Sequence, residues 1–168
     1  MPGELYNIEL YFDMFQTPIG KLCIFFVNPK QPVVVKVSFG DYYIEDALFH
    51  RVSLPDRIKQ EFLWYLEGKT KKVKVPYVLS GTEFCKKVWF KTMQIPYAQV
   101  RTYRWVAEQI GNPLSYRAVG QALKKNPIPI IVPCHRVVAS DGQLGGFSGG
   151  AEIKRMLLEI EHKAIIEL

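Results

Sequence analysis

The chain opens on alternation. Leu5 to Phe12 sets apolar against polar residues, and Lys21 to Val27 and Val33 to Phe39 are rich in β-branched and aromatic side chains, so three strands are predicted. Thr17-Pro18-Ile19-Gly20 and Asn28-Pro29-Lys30 have turn chemistry and link them as a meander. Cys23 falls in the middle strand, where a cysteine acts as a small buried hydrophobe. From Arg57 to Leu66 the period changes: Ile58, Phe62, Leu63 and Leu66 recur at helical intervals, predicting one helix laid over a face of the sheet. The stretch Lys69-Thr70-Lys71-Lys72-Val73-Lys74, followed by Pro76, has the composition of an exposed connection. The boundary between two domains, 1–76 and 77–168, is placed there.

Past that boundary the pattern is helical. Ser80 and Glu83 have capping-box spacing, and Phe84, Val88, Trp89 and Met93 continue the helix toward Pro96. Thr102 caps a second helix that runs through Trp105, Val106 and Ile110 to Gly111. Asn112-Pro113 offers an N-cap and a first-turn proline for a third helix reaching Lys125, which Asn126-Pro127 ends. Two short helices around this Gly-Asn-Pro turn form a helix-turn-helix candidate, a shape shared by many helical hairpins that never touch DNA. On the third helix Tyr116, Val119, Ala122 and Leu123 make an apolar face, with Arg117, Gln121 and Lys124 on another. Gly120 in its interior costs about 1 kcal/mol relative to alanine, so another backbone or a nucleic-acid strand is expected to come close there.

The segment from Asn126 to Val138 is apolar and should be buried and extended. Pro127, Pro129 and Pro133 deny it ladder donors, which makes it a rigid lining and not a central strand. Ser140-Asp141-Gly142 reads as the turn of a hairpin, and Gly145 to Gly150 is either flexible coil or a loop whose bare amides approach a ligand. The last helix carries Ile153, Met156, Leu157 and Ile160 on its buried stripe. Glu161 at the stripe's edge is a solvated boundary residue or the partner of a buried base, and position alone favours the former.

Charge sharpens this picture once it is divided along the chain. The formal net charge is +6, yet residues 81–168 hold 12 Lys and Arg against 7 Asp and Glu, and 86–136 holds nine basic residues against Glu108 alone. A polyanion is the expected partner of such a segment, the alternative being a solvated surface. The three cysteines, Cys23, Cys85 and Cys134, are an odd number at wide spacing, which argues against a disulfide framework and for a reducing compartment. No stretch approaches the ~18 apolar residues of a membrane span, and Met1-Pro2-Gly3-Glu4 does not start a signal peptide. A soluble protein of the cytoplasm, or of the nucleus in a eukaryote, is expected, with no membrane partner.

The candidate chemistry centres on Cys134, beside His135 and inside the basic segment, surroundings that favour a thiolate. Adjacent residues on a strand face opposite ways, so the pair would need a bridging water to cooperate. A metal site is not expected, because no other cysteine or histidine stands at ligand spacing.

With these residues the chain resembles the O6-alkylguanine-DNA alkyltransferases over roughly residues 80–165, and more weakly at 17–20. The resemblance rests on Pro133-Cys134-His135-Arg136-Val137, that family's active-cysteine motif. Around it stand, in family order, Tyr103 after a threonine, Arg117-Ala118-Val119-Gly120, Asn126-Pro127, Ser148-Gly149-Gly150 and Glu161. It implies an α/β (α+β) fold: an N-terminal ribonuclease-H-like sheet-and-helix domain and a mainly helical, winged-helix-like C-terminal domain with the helix-turn-helix in the DNA minor groove. It also implies a monomer that needs no cofactor and acts on double-stranded DNA containing O6-alkylguanine, and O4-alkylthymine as well, moving the alkyl group irreversibly onto Cys134.

Site roles follow from the same resemblance. Arg117 would replace a flipped guanine in the stack, Gly120 would permit close approach, and Tyr116, Ala118, Gln121 and Arg136 would join the DNA contact. Tyr103 would rotate the 3′ phosphate and donate to the base, and Asn126 would hold the turn after the recognition helix. Glu161, His135 and a water would draw the proton from Cys134. Pro129, Val137, Phe147, Ser148 and Gly149 would line the pocket, with backbone groups of Cys134, Val137 and Ser148 reading the guanine edge. Two positions depart from the family: Phe147 stands where tyrosine is frequent, and Tyr116 is bulkier than the small residue usual before the arginine. Two rival functions differ in a testable way. A cysteine hydrolase would turn over on an ester or amide, and an alkyltransferase-like lesion-recognition protein would lack the reactive cysteine.

Overall fold

The computed structural model describes residues 9–41 and 49–167, so Leu5 to Ile8 of the first predicted strand lie outside the described residues. The strands β1 (Leu10–Thr17), β2 (Gly20–Val27) and β3 (Val33–Phe39) form the predicted antiparallel meander. Its first turn is fixed by Thr17, whose hydroxyl accepts the Ile19 amide at 3.3 Å, and by Gly20 at φ +101°. A further strand, β4 (Phe49–Arg51), pairs parallel with β1 and gives the order β3-β2-β1-β4. It has no pattern of its own to announce it, since two of its three residues are polar and its partner is far away in sequence.

Helix α1 (Asp56–Leu66) covers one face of this sheet and buries Ile58, Phe62, Tyr65 and Leu66. Leu63, expected in the stripe, is only half-buried, and Tyr65 takes its place at i+7 from Ile58. At the expected boundary the lysines are exposed, but Val73 and Val75 between them are buried. The Val34 amide donates to Pro76 and its carbonyl accepts from Val78, both at 2.9 Å, so this connection is fastened to the sheet edge. One contiguous buried core runs from Ile19 in the first half to Leu157 in the second.

The helical half starts later than its sequence signals suggest. Helix α2 (Glu83–Thr92) is capped by Thr82, which accepts the Cys85 amide at 3.2 Å, and not by Ser80. The short strand β5 (Arg101–Thr102) leads into α3 (Tyr103–Gln109), where the predicted cap holds: Thr102 accepts the Trp105 amide at 3.0 Å. Gly111, at φ +77°, reverses the chain behind it. Helix α4 (Tyr116–Lys124) begins after Asn112-Pro113, because those residues are taken up by a turn closed by the Ser115 amide on the Asn112 carbonyl. Its buried face is Val119, Ala122 and Leu123, while Tyr116 is exposed. Trp89 ties α2 to α4 by donating its ring N–H to the Ala122 carbonyl at 2.9 Å.

The strand β6 (Val137–Val138) pairs parallel with β5. Ser140 to Gly142 does make a turn, with Gly142 at φ +82°, yet among the described residues no hairpin strand follows it. The last helix is α5 (Gly150–Ile166). Among the described residues no helix is long and apolar enough to cross a membrane.

Candidate active site

The chain from Asn126 to Val138 is buried almost throughout but not extended. Ile130 sits at φ +75°, the Val132 amide returns to the Ile128 carbonyl at 2.9 Å, and Cys134–Arg136 winds into a short 3-10 turn. The prolines that forbid a strand ladder permit this coil. Asn126 holds it together from the end of α4. Its Oδ1 accepts the Ile128 amide at 3.0 Å, and its Nδ2 donates to the Val132 carbonyl at 3.0 Å and to Cys134 Sγ at 3.1 Å.

The resting sulfur is a thiol, which corrects the thiolate expected from the basic segment. Cys134 is only 4% exposed, and burial pushes it up to about 11, with the Asn126 hydrogen bond and the charge of Lys154 offsetting only part of that. The surface charges are too well hydrated to compensate for desolvation at the sulfur itself.

Glu161 is fully buried, so its position at the edge of the apolar stripe misled. Burial alone would raise its carboxyl, but hydrogen bonds and charges from His135 and Arg136 prevail and hold it at about 2. It accepts from His135 Nε2 at 2.7 Å, from Arg136 Nη2 at 2.9 Å, from the Ala98 amide at 2.8 Å and from the Tyr65 hydroxyl. An ionised carboxylate only accepts, so Nε2 carries the proton in this contact. Burial keeps His135 below its ordinary value of 6.5 and therefore neutral, which leaves the Nδ1 lone pair free. That atom is buried without a protein partner and is the one ring position able to take a proton.

Two residues of this cluster were missed by sequence reasoning. Tyr65 belongs to the sheet-covering helix, yet its hydroxyl reaches both Glu161 and His135 Nε2, the latter at 3.2 Å. A polar-tipped aromatic on a buried stripe was the available signal, because such a hydroxyl needs a partner. Lys154 has no exposure at all. Its ammonium donates to the carbonyls of Val137 at 2.7 Å, Leu144 and Gly146 at 3.4 Å, with no carboxylate in reach among the described residues. Burial drives it down to about 8, and the neighbouring Cys134 opposes the fall. The fully buried positions of α5 are therefore Lys154, Leu157 and Glu161, with Ile153, Met156 and Ile160 half-buried around them.

A cleft of about 250 Å³ opens beside this cluster, bounded by Tyr103, Tyr116, Arg117, Gly120, Gln121 and Gly146 among others. Arg117, Ala118 and Gln121 project from α4 into solvent. Gly120 meets nothing nearer than the Tyr103 ring, 3.8 Å from where a β-carbon would stand, so no protein backbone claims the space. Gly145, at φ +73°, leaves room for the Tyr103 hydroxyl, which a β-carbon would approach to 2.3 Å. Burial raises the Tyr103 phenol and holds it protonated, and a thiolate formed at Cys134 would raise it further.

Arg136, expected at the DNA, is a correction: it is 6% exposed and spends its guanidinium on Glu161 and on the Ile95 carbonyl at 2.8 Å. Pro129 and Val137 are buried, and Phe147, Ser148 and Gly149 form the loop that leads into α5. Among the described residues no cluster of three or more His, Cys, Asp or Glu side chains could hold a metal ion.

Comparison with known proteins points the same way as the geometry. The sequence model of the family described as "6-O-methylguanine DNA methyltransferase, DNA binding domain" matches residues 83–163. A methylated-DNA–protein-cysteine methyltransferase of Methanosarcina acetivorans is 36% identical over 162 residues, 90% of this chain and 98% of that protein. Its counterpart in Methanosarcina mazei is 48% identical over 126 residues, 75% and 77% of the two chains. Among solved structures, the Mycobacterium tuberculosis OGT in complex with DNA superposes with a TM-score of 0.82 at 33% identity, covering 92% of this chain and 94% of that one.

Proposed function

The chain belongs to the methylated-DNA–protein-cysteine methyltransferase family, and from that premise we propose that it repairs O6-alkylguanine in DNA by moving the alkyl group onto Cys134. One observation carries the reading. A buried thiol is bonded to Asn126 and stands next to a neutral histidine that Glu161, Arg136 and Tyr65 lock in the tautomer able to accept its proton.

In the proposed reaction α4 enters the minor groove and Arg117 fills the stack while the damaged base swings into the site. Tyr103 turns the 3′ phosphate. The thiol proton passes to His135 Nδ1 through a bridging water, and Glu161 balances the imidazolium. The sulfur lone pair forms the S–C bond as the C–O6 bond breaks, and its electron pair goes to the guanine. The Tyr103 hydroxyl and the Ser148 amide stabilise the oxygen, and Tyr103 supplies the proton that leaves neutral guanine, its phenol being restored by the thiol proton held on His135. Lys154 acts on the sulfur, since a buried cation beside Cys134 lowers the cost of thiolate formed at the moment of attack. Cys134, Val137 and Ser148 offer backbone groups to the guanine edge, with Pro129, Phe147 and Gly149 shaping the pocket. O4-alkylthymine, with the same alkyl–oxygen bond, is a second substrate.

A thioether has no polarised carbonyl for water to attack, so one molecule repairs one lesion. The protein works as a monomer, without cofactor, in whichever compartment holds the chromosome. The test is to mix it with a duplex bearing one O6-methylguanine and weigh the intact protein. A single added methylene on Cys134, stoichiometric with lesion, is expected. Repaired DNA beside unmodified protein would refute the transfer, and lesion binding without repair would favour the recognition-only alternative.

A further inference from the structure

Phe39, the last residue of β3, lies in the half of the chain opposite to the cleft, yet its ring packs on that of Phe147. The centroids are 5.6 Å apart and the planes inclined at 48°. Gly149 fits between them. A β-carbon there would stand 2.7 Å from Phe39 Cδ2 and 2.9 Å from Phe147 Cε1, closer than side chains tolerate, so two rings and a bare backbone interlock. The φ of Gly149 is −84°, so space and not conformation demands the glycine. Beside this lock lies a cavity of about 450 Å³ whose wall includes Phe39, Asn126 and Ser148. Asn126 is itself one hydrogen bond from Cys134 Sγ. The loop bearing Phe147 and Ser148 is thus braced from behind by the sheet, and there is open volume next to the brace.

We infer that Phe39 is a positioning residue that limits the size of the alkyl group accepted at Cys134, by holding Phe147 forward against the pocket. The inference rests on the alkyl-transfer reading. On that reading Phe147 is a wall of the alkyl pocket, so a group larger than methyl presses on its ring, and Phe39 backs that ring from the sheet side. With Phe39 truncated, the Phe147 ring can swing back toward the cavity, and the pocket widens while the sulfur, Asn126 and His135 keep their contacts.

The experiment compares single-turnover rates on one duplex carrying either O6-methylguanine or O6-benzylguanine. Phe39→Ala is expected to raise the benzyl-to-methyl ratio on the order of tenfold, the scale on which hydrophobic pockets sort substrates by size. Phe39→Tyr, which keeps the ring, should hold the wild-type ratio. Phe39→Leu serves the same purpose as Phe39→Ala if the smaller side chain impairs folding. A general loss of stability slows both substrates together. Both rates shifting in parallel, with the ratio fixed in Phe39→Ala and Phe39→Leu, would overturn the inference. A wild-type protein that leaves both alkyl groups on the DNA would instead overturn the transfer reading, before any variant is compared.

Discussion

At the residue scale, the site sets two proton-dependent conditions on either side of neutrality. His135 must be neutral to accept the thiol proton, and burial keeps its pKa below 6.5, so transfer should fail only at a pH below that value. Lys154 must be charged to favour the thiolate, and burial brings its pKa down to about 8, so the rate should fall as pH rises through that range. Single-turnover rates on a methylated duplex are therefore expected to trace a bell, and Lys154→Met should slow the reaction while removing the upper limb. A profile that keeps rising past pH 8 in the wild type would take Lys154 out of the chemistry. Cys134 and Asn126 were legible in the sequence because their motif is specific. The thiol's protonation was not, because desolvation depends on which atoms enclose the sulfur. Lys154 and Tyr65 stayed hidden for a related reason: a pattern that rewards apolar residues scores a buried lysine as surface.

At the scale of elements, periodicity located β2, β3, α1 and both helices of the helix-turn-helix, and the Thr102 cap held to the residue. Where it failed, a competing local bond had won. Thr82 outcompeted Ser80 for the α2 cap, and the Asn112–Ser115 turn delayed the start of α4. The strand β4 was invisible because its pairing is non-local, and so was the coil after Asn126, whose shape depends on side-chain bonds between residues six and eight apart. Helix α4 also carries a clean separation of stability from binding. Gly120→Ala adds a β-carbon that meets only ordinary contact with Tyr103, so the helix should gain about 1 kcal/mol of stability while duplex affinity falls through loss of close approach. Thermal denaturation and a DNA titration on the same variant check this, and unchanged affinity would remove α4 from the groove.

At the scale of the whole molecule, the two halves share one core and one polar cluster. Tyr65 comes from the sheet-covering helix, His135 from the coil and Glu161 from the last helix. The chain should therefore unfold in a single calorimetric transition, with van't Hoff and calorimetric enthalpies equal; two resolved transitions would show that the expected domain boundary is thermodynamically real. Acid should weaken that transition with a defined sign. The Glu161 carboxyl sits at about 2 in the fold against an ordinary 4.5, so its contribution is complete above 4.5 and is lost as pH falls toward 2. The enclosed, protonated state of Cys134 bears on supply as well as on chemistry. A protein spent once per lesion is a stockpile, and its worth depends on shelf life. Sulfur stored as a thiol out of reach of solvent is a poor target for oxidants and stray electrophiles, so the reserve keeps until a flipped base calls on it.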